Sequence, residues 1–318
     1  MSEPTPTSLT CGVDVGGTKI LAGVVDEKGA ILEQVRVTSP AADASAITSA
    51  IVDLVRELDE RHDIEAVGVG AAGYVDSSRS TVMFAPNIAW RDVDLRSPIE
   101  QATGLPAVIE NDANAAAWGE FVHGAAGEVD SALMVTVGTG VGGGIVLDGA
   151  LQRGAFGVAA EIGHLRVVPG GLLCGCGNHG CLESYASGSA LVRYAREAAS
   201  AGQAPGLVER AGGSVEDITG PLVTEAARAG DAAGVAAFAE LGHWLGEGIA
   251  SLVAVLDPAM IVLGGGVSEA GDLLLDPVRA AFRAQLTGRG HRPEAELRLA
   301  TLGNQAGLIG AADLARHR

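Results

Sequence analysis

The segment TCGVDVGGTKILAGVVDEKGAILEQVRVT, residues 10–38, decides the fold class. Two apolar, β-rich runs flank the turn DEKG (26–29), and a glycine turn, VGGT (15–18), precedes them. Apolar runs punctuated in this way form a β-hairpin meander at the start of a sheet. Downstream, ASAITSAIVDLVRELDERH (44–62) carries Ile47, Ile51, Leu54, Val55 and Leu58 at helical spacing, which predicts an amphipathic helix. IEAVGVGAAGYVD (64–76) reads as a buried strand entering a glycine-rich turn, and AVIENDANAAAWGEFVHGA (107–125) as a strand followed by an alanine-rich helix.

The same order then recurs. SALMVTVGTGVGGGIVLDGALQRG (131–154) is strand, glycine turn, strand, with Asp148-Gly149 as a hairpin signal. PAMIVLGGGVSEAGDLLLDPVRAAFRAQL (258–286) is strand, triple glycine, helix, and the Gly/Ala-rich stretch 200–235 reads as loop with short helices. Two hairpin openings, each followed by helices, predict a duplicated α/β architecture with a cleft between its halves. No Pro/Ser-rich linker separates them, so continuous structure is expected to join the halves.

The chain's 318 residues suffice for two ordinary domains, and a 47% hydrophobic content supplies their cores. Aromatics make up only 3%, so those cores must be built from Ala, Val, Leu and Ile. A formal net charge of −18 repels phosphate backbones and argues against nucleic-acid binding. MSEPTPTSLT (1–10) lacks the basic and apolar regions of a signal peptide and reads as a short disordered tail. Every apolar run is broken well short of a membrane span. A cytoplasmic, reducing location follows as the expectation, and there clustered cysteines act as metal ligands rather than disulfides. Cys11, alone in a strand, is expected to fill core.

DVGGTK (14–19) and VGTGVGGG (137–144) both follow strands, and LGGGV (263–267) follows a third. Glycines let backbone N–H groups approach phosphate oxygens that a Cβ would block. Thr18, Lys19 and Thr139 add hydroxyl and ammonium donors. GTGVGG matches G-x-G-x-x-G, but a strand follows it, which is the wrong context for a dinucleotide fold. One nucleotide held by Gly16, Gly17, Gly138, Gly140, Gly265 and Gly266 is the economical reading. Asp14 is either a turn-capping aspartate or the residue that holds, directly or through water, a phosphate-bridging Mg²⁺.

DVGGTK, ENDANAAAWGE (110–120), VTVGTGVGGGIVLDGALQRG (135–154), EIGH (161–164) and CGCGNHGCLE (174–183) occur in the order and spacing of the ROK family of sugar kinases and related repressors. The resemblance runs from about residue 9 to the C-terminus. It implies an actin-like (ribonuclease H-like), duplicated two-domain sugar kinase fold that binds ATP and sugar in the cleft. The expected small domain is 9–113 plus about 303–318, and the expected large domain is 114–302.

A hydroxyl attacking a γ-phosphoryl group needs positioning and a base for its proton. In IENDANAAAW (109–118), Asp112 falls where a strand passes into a helix, and the helix N-terminus is expected to favour its ionised form. Read locally, Asn111 or Asp112 is equally well the helix N-cap. The resemblance implies Asp112 as catalytic base with Asn111 binding sugar hydroxyls beside it. It also implies Glu161, His164 and Glu183 as sugar-hydroxyl ligands, with Asn87 of APNIAW (85–90) and the backbone of Gly73 as further candidates.

In LLCGCGNHGCLESYASG (172–188), Cys174, Cys176 and Cys181 with one imidazole would make a closed tetrahedral zinc site. Local spacing leaves the fourth ligand open between His179, inside the knot, and His164, ten residues upstream. The family pattern implies His164, with one ring nitrogen on zinc and the other facing the sugar.

The resemblance thus implies ATP-dependent phosphorylation of a hexose, foremost D-glucose to glucose 6-phosphate, by a cytoplasmic homodimer or homotetramer. Fructose, allose and N-acetylmannosamine are acceptors of the same constellation in other members. The sugar-responsive repressors of the family carry a helix-turn-helix domain ahead of the kinase-like part, for which no room is expected before residue 14. A non-catalytic sugar sensor is disfavoured by the presence of Asp14, Asp112 and the glycine turns. Polyphosphate would need a basic tract that the sequence lacks.

Overall fold

The computed structural model describes residues 8–317, so residues 1–7 of the expected N-terminal tail lie outside the described residues, while its last two, Leu9 and Thr10, are drawn into the first strand. In chain order the elements are β1 (Leu9–Val15), β2 (Lys19–Val25), β3 (Ile31–Thr38), α1 (Ala44–Asp59), β4 (Ile64–Ala71), β5 (Tyr74–Val75), β6 (Thr81–Phe84), β7 (Arg91–Asp94), α2 (Arg96–Thr103), β8 (Ala107–Asn111) and α3 (Asp112–His123). There follow β9 (Ala132–Val137), β10 (Val141–Leu147), β11 (Ala150–Leu151), α4 (Glu183–Ala186), α5 (Gly188–Ser200), α6 (Pro205–Arg210), α7 (Gly220–Arg228), α8 (Ala232–Leu256), β12 (Met260–Gly264), α9 (Asp272–Gln285), β13 (Glu296–Leu299) and α10 (Ala306–Arg316). Two mixed sheets of five strands have the orders β3-β2-β1-β4-β8 and β11-β10-β9-β12-β13, and β5-β6-β7 form a small third sheet. The chain divides into two compact units, one of Met1–Asp130, Gly144–Ala160 and Thr301–Arg318, the other of Ser131–Gly143 and Glu161–Ala300.

In the first unit the opening hairpin forms as its punctuation predicts. β1 pairs antiparallel with β2 and β2 with β3, while β1 pairs parallel with β4 and β4 with β8. Asp43 caps α1 by accepting the N–H groups of Ser45 and Ala46, and Ile47, Ile51, Leu54, Val55 and Leu58 are all buried. Cys11 is fully buried, as expected of core, and burial pushes its thiol up to about 12. Few aromatics leave the core to be closed by backbone contact instead. A Cβ on Gly68 of β4 would overlap the carbonyl oxygen of Ala311 in α10, and one on Gly310 would overlap that of Ala115 in α3. Glycine at these positions is what lets α10 lie directly on the sheet and on α3.

The second unit uses the same device between its longest helices. A Cβ on Gly242 of α8 would come 2.7 Å from Pro277 Cβ, and one on Gly246 would come 2.5 Å from Ala281 Cβ in α9. Phe238, Leu241, Leu245 and Ile249 from α8 and Leu274, Val278 and Phe282 from α9 are buried around that contact. The Asp148-Gly149 turn between β10 and β11 has φ of 51° and 73°, the left-handed pair that a two-residue hairpin needs. The triple glycine after β12 does not open a long helix directly. Gly266–Ala270 form a short 3₁₀ turn, and α9 starts only at Asp272.

Candidate active site

In the first unit, two carboxylates meet at the ends of β1 and β8. Asp14 is the penultimate residue of β1 and Asp112 begins α3. Asn111 takes the N-cap, its Oδ1 accepting the N–H of Asn114 at 3.0 Å, while its Nδ2 donates to the Gly73 carbonyl at 3.1 Å. Asp112 Oδ1 accepts the adjacent Ala113 N–H, at 2.9 Å. The cap is therefore filled by the neighbour, which leaves the Asp112 carboxylate to other work. The expected pull of the helix N-terminus towards the ionised form is present but outweighed. Burial, and after it the nearby Asp14, pushes Asp112 up to about 6, against the opposing pull of its backbone N–H partners. At neutral pH the group is still ionised but basic enough to accept a proton. Asp14 is also raised by burial, with Lys19 opposing.

The first glycine turn is tightened by Gly16 N–H donating to the Lys19 carbonyl at 3.0 Å, and it exposes Gly17, Thr18 and Lys19. Asn87 is exposed beside it, since a Cβ on Gly17 would lie 3.6 Å from the Asn87 carbonyl oxygen. Arg91 builds the loop that carries Asn87. Its Nη1 donates to the carbonyls of Ala85 (2.6 Å), Ile88 (3.1 Å) and Trp90 (2.6 Å), with the guanidinium 4.3 Å from the Phe84 ring centre.

Glu110 is a residue that the sequence reading did not single out. It is 1% exposed, on the strand that delivers Asn111 and Asp112. Its Oε1 accepts the Asn111 N–H at 3.0 Å and Asn114 Nδ2 at 3.1 Å. Its Oε2 lies 3.2 Å from Arg79 Nε and 2.7 Å from Arg153 Nε. The Arg153 contact is charge against charge rather than a linear hydrogen bond, because the Nε–H does not point along it. A signal was available: a carboxylate inside a short apolar strand must find compensating partners.

In the second unit, the turn after β9 places Gly138, Thr139 and Gly140 together, with Gly138 N–H donating to the Gly140 carbonyl at 3.0 Å. Gly265, at φ 82°, lies so close to Val137 that a Cβ would be 2.5 Å from its carbonyl oxygen, and Gly266 beside it is exposed. Glu161 precedes a 3₁₀ turn, Ile162–His164, and stands 3.9 Å from His164 Nε2.

His164, Cys174, Cys176 and Cys181 converge so that their ligand atoms all lie within 4.8 Å of one another. Cys174 Sγ is 3.7 Å from His164 Nδ1, and Cys176 Sγ is 3.7 Å from Cys181 Sγ. A tetrahedron of zinc–sulfur bonds of about 2.3 Å has edges of about 3.8 Å, so the donor set fits zinc in number, type and size. Burial pushes the Cys174 thiol up and the Cys181 thiol up to about 12, whereas hydrogen bonding, first from the Asn178 backbone, draws the exposed Cys176 thiol down. His179 is exposed and turned away, its Nδ1 2.9 Å from the Gly171 carbonyl. The geometry thus groups His164, and not His179, with the three cysteines.

A profile of the ROK family matches residues 10–318. The chain belongs to the ROK family. Among ROK proteins, the glucokinase of Streptomyces coelicolor is 51% identical over 310 residues, covering 97% of this chain and 98% of that one. The crystal structure of a ROK glucokinase from Streptomyces griseus in complex with glucose and AMPPNP is similar with a TM-score of 0.89 and 54% identity, over 98% of this chain and 100% of that one. The xylose repressor of Caldicellulosiruptor bescii is 36% identical over 216 residues, covering 68% of this chain but only 54% of the repressor. The ROK sugar kinase fold, α/β with two five-stranded mixed sheets, is therefore the fold of this chain. No helix among the described residues is long and apolar enough to cross a membrane.

Proposed function

We infer that this protein is an ATP-dependent glucokinase, converting D-glucose to glucose 6-phosphate. The observation that carries the reading is the likeness, along nearly the whole chain, to a glucokinase that binds glucose and AMPPNP. The sugar's 6-hydroxyl attacks the γ-phosphorus, the new O–P bond forms as the bond to the β-phosphate oxygen breaks, and ADP departs with that electron pair. The hydroxyl proton passes to the Asp112 carboxylate, whose raised basicity and freedom from capping support this role.

Asp14 would hold Mg²⁺, directly or through water, and the ion would neutralise charge on the phosphates. The N–H groups around Gly16, Gly17, Gly138, Gly140, Gly265 and Gly266, with Thr18, Lys19 and Thr139, cradle phosphate and adenosine. Asn111, Glu161, His164 and Glu183 bind sugar hydroxyls, with Asn87 and the Gly73 backbone contributing. His164, Cys174, Cys176 and Cys181 would hold a structural zinc, leaving His164 Nε2 for the sugar. The assembly proposed is a cytoplasmic homodimer or homotetramer.

A coupled assay of ADP release across glucose, mannose, fructose, allose and N-acetylmannosamine, with ATP or polyphosphate as donor, tests the reading. Glucose with ATP should show the highest kcat/KM. Turnover with none of these pairs, or a clear preference for another sugar, overturns it.

A further inference from the structure

The segment just past the last cysteine grips the second glycine turn at three points. Glu183 Oε2 accepts the Val141 N–H at 3.0 Å. Gly188 N–H donates to the Gly138 carbonyl at 2.8 Å, and the Ser189 hydroxyl donates to the Thr139 carbonyl at 2.8 Å. Only glycine at position 140 allows the first of these, because a Cβ there would overlap Glu183 Oε2. The other carboxylate oxygen, Oε1, lies 3.7 Å from Cys174 Sγ. One side chain therefore touches the thiol cluster at one end and the glycine turn at the other.

We propose that Glu183 is a positioning residue for the second glycine turn and couples hexose affinity to nucleotide affinity, an inference that rests on the kinase reading above. Among the described residues, no acceptor lies on the N–H of Thr139 or of Gly140, so both remain open to phosphate oxygens. A glycine-rich turn loses much conformational freedom when it closes on an anion. The grip of Glu183, Gly188 and Ser189 removes part of that cost before the nucleotide arrives. A sugar hydroxyl donating to the Glu183 carboxylate holds it in place and stiffens the turn further. By linkage, bound nucleotide favours sugar by the same factor.

Calorimetric titration of AMPPNP with Mg²⁺ into the zinc-loaded protein, without and then with glucose, tests this. In sugar-free protein, Glu183→Ala should weaken AMPPNP binding about tenfold, the loss of one charge-assisted hydrogen bond. Glu183→Gln retains an acceptor for the Val141 N–H and should stay within about threefold of wild type. Glucose should tighten AMPPNP binding to wild type and not to Glu183→Ala. Gly140→Ala, whose Cβ displaces the carboxylate as well as crowding the turn, should also weaken binding. A group that only binds sugar leaves AMPPNP affinity in the sugar-free protein unchanged, so equal affinities for wild type and Glu183→Ala overturn the inference while the kinase reading stands. Should Glu183→Ala fail to fold, wild-type affinity in Gly140→Ala overturns it equally. No AMPPNP binding by wild type overturns the kinase reading and the inference together.

Discussion

Glu110 Oε1 accepts the backbone N–H of Asn111 at 3.0 Å, so the residue ahead of the N-cap fixes the strand-to-helix junction from which Asp112 projects. Its other oxygen faces the guanidinium groups of Arg79 and Arg153. Removing the carboxylate would leave two partly buried cations without their anion. Glu110→Ala should therefore cost about 3–5 kcal/mol of stability, read by urea denaturation. Glu110→Gln, which can still accept the Asn111 N–H, should cost less and keep more turnover.

Asp112 yields two predictions of opposite benefit. Asp112→Asn should lower kcat by roughly 10²–10⁴ while glucose affinity changes little, since only the proton acceptor is lost. Near-normal turnover would refute the assignment of the base. The same variant should be more stable at neutral pH. A carboxyl raised from its ordinary value to about 6 favours folding below the unfolded value, and that contribution is lost as pH rises towards and through about 6. The melting temperature of Asp112→Asn relative to wild type should therefore climb between about pH 4 and pH 6 and then level off, by about 1–3 kcal/mol in free energy.

The pH–rate profile follows from the same group. The free enzyme's kcat/KM should fall as pH drops through about 6, because the protonated carboxyl cannot accept the hydroxyl proton. Asp14 is the second cause of the upward shift, after burial. Asp14→Asn should move the acidic limb to lower pH, whatever it does to the plateau. An acidic limb that stays in place would show that Asp14 does not act on the base.

The thiol cluster distinguishes the two histidines by metal content. Wild type should retain zinc after dialysis, His164→Ala and Cys176→Ala should lose it, and His179→Ala should keep it, measured by atomic absorption. Loss of zinc should weaken glucose binding more than nucleotide binding. Full glucose affinity in zinc-free protein would contradict the proposed link through His164.

Backbone packing is tested at Gly68 and Gly310. An alanine at either must push against a carbonyl oxygen of a neighbouring helix, which cannot turn aside as a side-chain tip can. Each substitution should cost at least about 2 kcal/mol by thermal melting, more than overpacking at a side-chain contact.

Much of this molecule was legible in the sequence because it depends on near neighbours. The hairpin of β1 and β2, the apolar stripe of α1 and the Asp148-Gly149 turn follow from periodicity and φ preferences within a few residues. The glycine turns and cysteine spacing likewise announce themselves locally, and their joint order points to the ROK family. What tertiary structure alone decided depends on groups brought together from distant parts of the chain. Asn111 fills the cap because Gly73 and Asn114 offer it partners, and burial beside Asp14 outweighs the helix terminus at Asp112. His164 joins the cysteines because the path of the chain brings its Nδ1 to Cys174, while His179 turns to the Gly171 carbonyl. Glu110 reads as one more acid in the sequence. It becomes a fixed anchor only when folding buries it against Arg79 and Arg153, where the energetic cost of an unpaired charge leaves it no other arrangement.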